Sequence, residues 1–437
     1  MNIYFYRALT IVLLLTVMHN VSGQGKKIEK TYSWKQEVNE HVNFTFNNYD
    51  CDLVIHTWDK PEIEYSMSVD ATLKSEEDAS RLDAYIAELE FSHSYGGSKF
   101  DNRFWTSKKV VMGRKTITLK GEKTIRFSEF KMKGELWIPE NCMLILQSKY
   151  SEIMADDLNG RVSLDLYNDK LFGGLVNSNV DIRAKYSTVE FKDMKDLKID
   201  FYNTDMEAGV IGSLEGVSKY SNFKSGDAGK ISIDSYNDKY SFGNTGDIKF
   251  TNKYSDLKAL NSGYVELDSY NGTVSFTLVE DIDLKSKYGK YEIGAARNLN
   301  IISAYNDSYK IGKLNALNIT ESKYGVYKID HLESSFILAE GYSDKFYISG
   351  TGAFKGMKLK GKYIVVEMAL DKDLNYRFEA NVKYPKFKIN EEAMDVRIKI
   401  KEGSDLQMEA IKGAKSEGMP AFFVNGYEMA VTLTENL

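Results

Sequence analysis

The chain has 437 residues, a formal net charge of −6, 13% aromatic residues and four prolines. The slight acidity disfavours non-specific nucleic-acid binding, and the aromatic content argues against disorder. The length allows a large core or two domains.

The first 23 residues read as a secretory signal peptide. Arg7 supplies a basic start, Ala8 to Met18 is a mostly apolar run, and Val21-Ser22-Gly23 offers small residues for cleavage. The run is eleven residues long, short of the roughly 20 that a bilayer span needs. The mature chain is then expected to begin at Gln24. No cysteine follows the cleavage site, so no lipid anchor is expected there, and no later apolar run is long enough to cross a membrane. Export permits a disulfide. Cys51 and Cys142 offer one pairing, with buried free thiols the favoured reading.

Residues 24–143 read as a β-rich N-terminal cap. Phe44 to His56 alternates like a strand–turn–strand unit. Ser75 to Glu90 is a helix: Ser75 and Asp78 resemble a capping box, and Leu82, Tyr85, Ile86 and Leu89 form one apolar face. Lys108 to Lys133 reads as β-hairpins with a turn at Lys120-Gly121, and Trp137-Ile138-Pro139 leads into a repetitive region.

Residues 144–381 carry a period of seventeen. One apolar column is Val180, Leu197, Leu214, Ile231, Ile248, Val265, Ile282 and Leu299. A second is Ile182, Ile199, Ile233, Phe250, Leu267, Leu284 and Ile301, broken once by Gly216. A third is Val189, Met206, Phe223, Tyr240, Leu257, Val274 and Tyr291. Apolar–polar alternation within each unit means strand, and the absence of an i, i+3, i+4 stripe excludes a 34-residue helical repeat. A lone coil cannot offset the entropy of ordering it, so coils must stack. The expected fold is all-β, a parallel β-solenoid (β-helix) of about 13 coils, with one short helix in the N-terminal cap and irregular caps at both ends. Past Ile301 the coils lengthen. Residues 382–437 read as a C-terminal cap with a hairpin at the Asn425-Gly426 turn.

Alternate coils differ at one turn, doubling the period to 34. One column reads Lys185, Tyr202, Lys219, Tyr236, Lys253, Tyr270, Lys287, and its neighbour Tyr186, Asn203, Tyr220, Asn237, Tyr254, Asn271, Tyr288. Lys above Tyr avoids stacked like charges and allows cation–π contacts. Asn suits a turn with positive φ.

Several of these segments carry a resemblance. The signal peptide comes first, then Asp52-Leu53-Val54-Ile55-His56-Thr57-Trp58-Asp59 and the helix opening Ser75-Glu76-Glu77-Asp78-Ala79. Leu136-Trp137-Ile138-Pro139 and the coil start Ser148-Lys149-Tyr150-Ser151 complete the set. On these the chain resembles an exported Gram-negative bacterial family of β-strand-repeat proteins, called adhesins and related to the head-GIN-domain proteins. The resemblance implies a solenoid at the cell envelope and supplies no catalytic residues.

Solenoids also host polysaccharide lyases and hydrolases, whose sites need convergent carboxylates or cations in a groove. Acids are plentiful here, at Asp165, Asp200, Asp234 and Asp268 and again at Asp169, Asp238 and Asp307, but they recur with the repeat. A catalytic constellation is single and should interrupt it. The Asp-containing turns therefore read as solvated turn residues in preference to Ca²⁺ ligands. His41, His56, His93 and His331 show no metal-ligand spacing, and Gly350–Gly352 opens no helix. No cofactor or metal is expected.

Two features could form a binding surface. Lys108 to Lys133 holds nine Lys/Arg against Glu122 and Glu129, including Lys108, Lys109, Arg114, Lys115, Lys120, Lys123 and Arg126. Such a stretch could meet polyanionic glycan or lipid headgroups. The tyrosine rows, with Tyr202, Tyr236 and Tyr270, could stack on sugar rings. The expectation is a non-enzymatic, adhesin-like envelope module in the periplasm or at the cell surface, with a glycan or an envelope protein as partner. The alternatives are a polysaccharide-acting enzyme on the same scaffold and a periplasmic scaffold in envelope-stress signalling.

Overall fold

The computed structural model describes residues 25–94, 97–121 and 123–435. The signal-peptide reading lies outside them. The chain is all-β, 72% strand, and forms a parallel β-solenoid of about 12 turns with a period near 18 residues. The slightly longer period comes from both ends of the repeat, the coils past Leu299 stepping to Leu317, Phe336 and Met357 by 18, 19 and 21 residues. Leu144 faces Val162 and Val162 faces Val180, steps of eighteen, whereas Val180 faces Leu197 at seventeen. The chain divides into two compact units, one up to Ser213 and one from Leu214.

In the first unit, Val162, Val180 and Leu197 stack in register, as do Leu164, Ile182 and Ile199, all buried. The coil pattern starts about a hundred residues before the sequence displays it. Strands Asn43–Tyr49 and Asp52–Trp58 run parallel to Met143–Lys149 and Glu152–Ala155, pairing Phe44 with Leu144 and Leu53 with Ile153. On their other side they pair in parallel with Gly97–Asp101 and Thr124–Pro139. The coil nearest the N-terminus is thus inserted between two coils that come later in the chain. Thr124–Pro139 also pairs antiparallel with Glu62–Leu73, which pairs antiparallel with Lys26–Glu37.

The expected helix spans Glu76–Ala87. The Ser75 hydroxyl accepts from the Asp78 N–H, and Leu82 and Ile86 are buried. Cys51 and Cys142 are free and buried, and burial pushes each thiol up to about 12.

In the second unit the inward column runs in register through Ile231, Ile248, Val265, Ile282, Leu299, Leu317, Phe336 and Met357. A parallel inward stack joins Tyr291, Tyr309, Tyr327 and Phe346, with ring centroids 4.9, 4.5 and 4.5 Å apart.

The C-terminal hairpin expected at Asn425-Gly426 does not form. Ala421–Tyr427 and Ala430–Glu435 make one further coil, inserted in parallel between two earlier ones. Met357 and Phe378 both face Phe422, and Val366 and Phe387 both face Val431. Asn-Gly favours a two-residue turn locally. Here each segment has a strand waiting on either side, and those two ladders outweigh one turn preference. The chain turns instead at Glu428, whose φ is 48°. A true antiparallel hairpin, Met394–Glu402 with Asp405–Lys412, lies against Tyr376–Lys383.

This insertion has a measurable consequence. A chain ending at residue 413 loses a coil that is paired on both faces. Amide-exchange protection should then collapse in residues 356–370 and 376–388. Replacing 394–412 by a flexible linker removes a structure paired on one face only and should leave protection in 356–370 intact.

Candidate functional site

Each regular coil turns at one corner through a residue in the left-handed region. In the first unit these residues include Tyr150, Asn168 and Tyr186. In the second they include Tyr220, Asn237, Tyr254, Asn271, Tyr288, Asn306, Tyr324, Ser343 and Tyr363, with φ between 55° and 62°. Asn tolerates this conformation, whereas a bulky tyrosine there is uncommon. The tyrosine is held by its neighbours. In one coil the ring comes from the left-handed residue, and in the next it comes from the residue before the left-handed Asn. The offset makes successive rings meet edge to face, the arrangement aromatic quadrupoles favour.

The result is a ridge of rings in each unit. In the first unit it joins Tyr49, Tyr150, Tyr167, Tyr186 and Tyr202 at 5.6–5.7 Å. In the second it joins Tyr220, Tyr236, Tyr254, Tyr270, Tyr288 and Tyr305, and continues through Tyr324, Tyr342 and Tyr363 to Tyr427 and Tyr384. Tyr427 lies between Tyr363 and Tyr384 because its coil is the inserted one. The rings stay accessible: Tyr202, Tyr236 and Tyr270 are 36–40% exposed. Lysines alternate with tyrosines at the strand ends, so Tyr236 faces Lys253, Lys253 faces Tyr270 and Tyr270 faces Lys287. The expected register therefore holds. Ring-on-ring contact nevertheless dominates over lysine–ring contact, which along the ridge is seen for Lys149 over Tyr167 at 5.8 Å and for Lys383 over Tyr384 at 5.8 Å.

Beneath the ridge lies a set of carboxylates whose placement departs from the sequence expectation. Asp169, Asp238 and Asp307 are not solvated turn residues. They and Asp344 are at most 2% exposed. Each accepts two backbone N–H groups and a serine hydroxyl. Asp169 accepts the Ser151 N–H at 2.8 Å, the Tyr167 N–H at 2.9 Å and the Ser148 hydroxyl at 3.2 Å. Asp238 accepts Ser221 N–H, Tyr236 N–H and the Ser235 hydroxyl. Asp307 takes Gly289 N–H, Tyr305 N–H and the Ser286 hydroxyl, and Asp344 takes Gly325 N–H, Tyr342 N–H and the Ser322 hydroxyl. The left-handed turn aims the next N–H into the coil, where the strand ladder cannot pair it. The carboxylate of the following coil takes it. Burial pushes Asp169 and Asp344 up to about 6 despite these bonds.

The basic residues split by position. Lys108 and Lys109 on Trp105–Val111, and Arg114 and Lys115 on Arg114–Leu119, share one exposed antiparallel hairpin. Lys120 and Lys123 sit at the opposite turn, with Lys120 3.9 Å from Asp101, and Arg126 faces Thr116. Lys108 is bound to Asp50 and lies over the Phe127 and Phe130 rings, while Lys115 donates to the Ser128 carbonyl. The hairpin root meets the first ring of the ridge, since Trp105 packs edge-on against Tyr49 and Arg103 covers Tyr49 at 4.4 Å. In the first unit the two expected surfaces are therefore contiguous.

One further cluster carries no signal in the sequence. Strand register sets His56 opposite Trp137, and the rings stack at 4.3 Å. Trp58 lies 5.3 Å from Trp137, and His56 contacts Asp156 at 2.9 Å. Asp156 lies a hundred residues from His56, so the inserted coil is what joins them. Among the described residues no group of His, Cys, Asp and Glu could hold a metal ion.

No family model and no curated protein matches the chain. Among the solved structures that do are two of low identity. One is a Clostridium sporogenes ATCC 15579 protein named for a suspected role in cell adhesion. It is 10% identical, with a TM-score of 0.17, over 94% of this chain and 100% of its own. The other is a Parabacteroides distasonis ATCC 8503 protein named for a suspected role in lipid binding. It is 12% identical, with a TM-score of 0.24, over 65% of this chain and 96% of its own.

The corner chemistry sets a pH dependence. The folded-state pKa of Asp344 lies above its unfolded value of 3.8, at about 6. Its contribution is thus fully present below pH 3.8 and is lost as pH rises through 6, on the order of 3 kcal/mol. The change in unfolding midpoint between about pH 4 and pH 7 should therefore differ between the parent and Asp344→Asn, with the variant lacking this alkaline-side loss. The ridge makes a second prediction. Tyr254→Ala loses two ring contacts and keeps the left-handed strain, so it should be less stable than Tyr254→Gly by roughly 1 kcal/mol in chemical denaturation.

Proposed function

We propose that this chain is a non-enzymatic, exported β-solenoid that serves the bacterial cell envelope as an adhesin-like binding module, and that its ligand is a linear glycan lying along the tyrosine ridge. The observation that carries this reading is the repetition of exposed rings and lysines at one edge. Lysines in alternate coils recur every 9–10 Å or so, twice the spacing between strands. A periodic surface suits a periodic polymer, whose many weak contacts add through avidity. Tyrosine offers a flat apolar face with a polar tip, which suits pyranose rings.

The same geometry weighs against a lyase or hydrolase. Asp169, Asp238, Asp307 and Asp344 are occupied by backbone and hydroxyl donors inside the coils. Three of the outward acids face cations in register, Asp165 and Asp200 flanking Arg183 and Asp268 facing Lys285. The signal-peptide reading and the family resemblance support export to the periplasm or cell surface.

The test uses the chain without residues 1–23 on an array of neutral and acidic polysaccharides, with reducing ends and unsaturated products assayed in the same samples. Retention of a polymer without product release is expected. Tyr236→Ala with Tyr270→Ala, which leaves the left-handed Asn237 and Asn271 untouched, should weaken it roughly tenfold. Product release, or retention unaffected by losing both rings, would sink this reading.

A further inference from the structure

The hairpin Trp105–Val111/Arg114–Leu119 ends in a tip that does not serve the fold. Val111 pairs with Arg114, leaving Met112 and Gly113 as a two-residue turn. Both have positive φ, 47° and 76°, the pattern of a type I′ hairpin, which calls for Asn-Gly or Asp-Gly. A methionine at the first central position is sterically unfavourable. It gains nothing in return: Met112 is 100% exposed, and Val110 and Val111 are 66% and 58% exposed. A Cβ built on Gly113 would find no atom within 4 Å. A strained apolar residue held fully in water is an outlier that points toward function.

Charge surrounds this tip. Residues 105–120 contain Lys108, Lys109, Arg114, Lys115 and Lys120 and no acid, in a chain whose net charge is −6. Lys108 is turned back to Asp50 and braces the root. Lys109 and Arg114 have no ion-pair partner among the described residues. Lys109 lies two residues behind Val111, about 7 Å at a strand's rise. That distance matches the roughly 5–10 Å over which an interfacial segment passes from acyl chain to headgroup. Register sets Arg114 opposite Val111 and Lys115 opposite Val110, so the tip is apolar with cations beside and behind it, on stems long enough to carry the charge away from an apolar phase.

We propose that this hairpin docks the protein on an anionic phospholipid bilayer, with Val110, Val111 and Met112 entering the interface and Lys109 and Arg114 meeting the headgroups. The exposed apolar residues select a bilayer: a polysaccharide offers cations a partner but gives Val, Val and Met no apolar phase. Hydrophobic insertion and attraction to anionic lipid then act together, as membrane-surface anchoring requires. This role is independent of glycan binding along the ridge.

The experiment is flotation of the chain without residues 1–23 with vesicles of phosphatidylcholine alone or mixed three to one with phosphatidylglycerol. Binding is expected on the mixed vesicles, and it should fall as salt is raised. Met112→Asn suits the turn, so its thermal midpoint should hold or rise while vesicle binding falls about tenfold. Val110→Ser, Val111→Ser and Met112→Ser together should abolish binding. Met112→Cys carrying an environment-sensitive fluorophore should report a less polar setting on mixed vesicles, since Cys51 and Cys142 are buried. Three results would overturn the proposal: parental binding by the Met112→Asn and triple-serine variants, a fluorophore that stays in water on bound protein, or capture of a protein by the hairpin without vesicle binding.

Discussion

Every regular coil of this protein depends on how one backbone N–H is satisfied. The corner turns through a left-handed residue, which aims the next N–H into the coil and away from the ladder. An unpaired amide there would cost more than a typical hydrogen bond yields. In alternate coils a buried carboxylate of the neighbouring turn, such as Asp169 or Asp344, accepts it together with a second N–H and a serine hydroxyl. After left-handed Tyr254 the inward N–H is that of Ser255, and Asn252 of the same coil accepts it. The two types of coil differ in what accepts the inward N–H: carboxylates take those of Ser151 and Ser221, whereas serine hydroxyls take those of Asp169 and Asp238. The outer tyrosines share the same alternation, because the ring must come from a different position in each type of coil.

The inward columns were legible because a two-residue alternation repeated at a constant step leaves one consistent burial pattern. Val180, Ile182 and Val189 and their successors are all buried as that pattern requires. The helix was legible because its cap and apolar face are local. The buried aspartates were not, since an acid beside Asn in a turn is ordinarily solvated. Its burial here depends on donors from the adjacent coil, about eighteen residues away. Left-handed tyrosines were hidden for a similar reason: what tolerates them is the ring of another coil. His56, Trp58, Trp137 and Asp156 each look ordinary alone and meet only through long-range strand order.

The same limit explains the ends. A solenoid edge exposes a row of unpaired backbone groups, a template for aggregation. Here the coil nearest each terminus is inserted one place inward, so it is paired on both faces while a later or earlier segment forms the outside layer. Asn43–Trp58 and Ala421–Glu435 both show this order. An inserted coil cannot be recognised by tracing the repeat along the chain, because its neighbours in space are not its neighbours in sequence. That is why the Asn425-Gly426 pair reads as a hairpin and folds as a strand.

A repeated scaffold also sorts its surface into two kinds. Residues that recur at every turn owe their identity first to the stack, and any ligand they bind must itself be repetitive. Residues that occur once, at a place where the local rules are broken, owe the stack nothing. Tyr236 and Tyr270 belong to the first kind, since removing one ring opens a gap between two others. Met112 belongs to the second. Asn would fit its turn better and its side chain touches nothing that needs it, so whatever retains it must come from outside the fold.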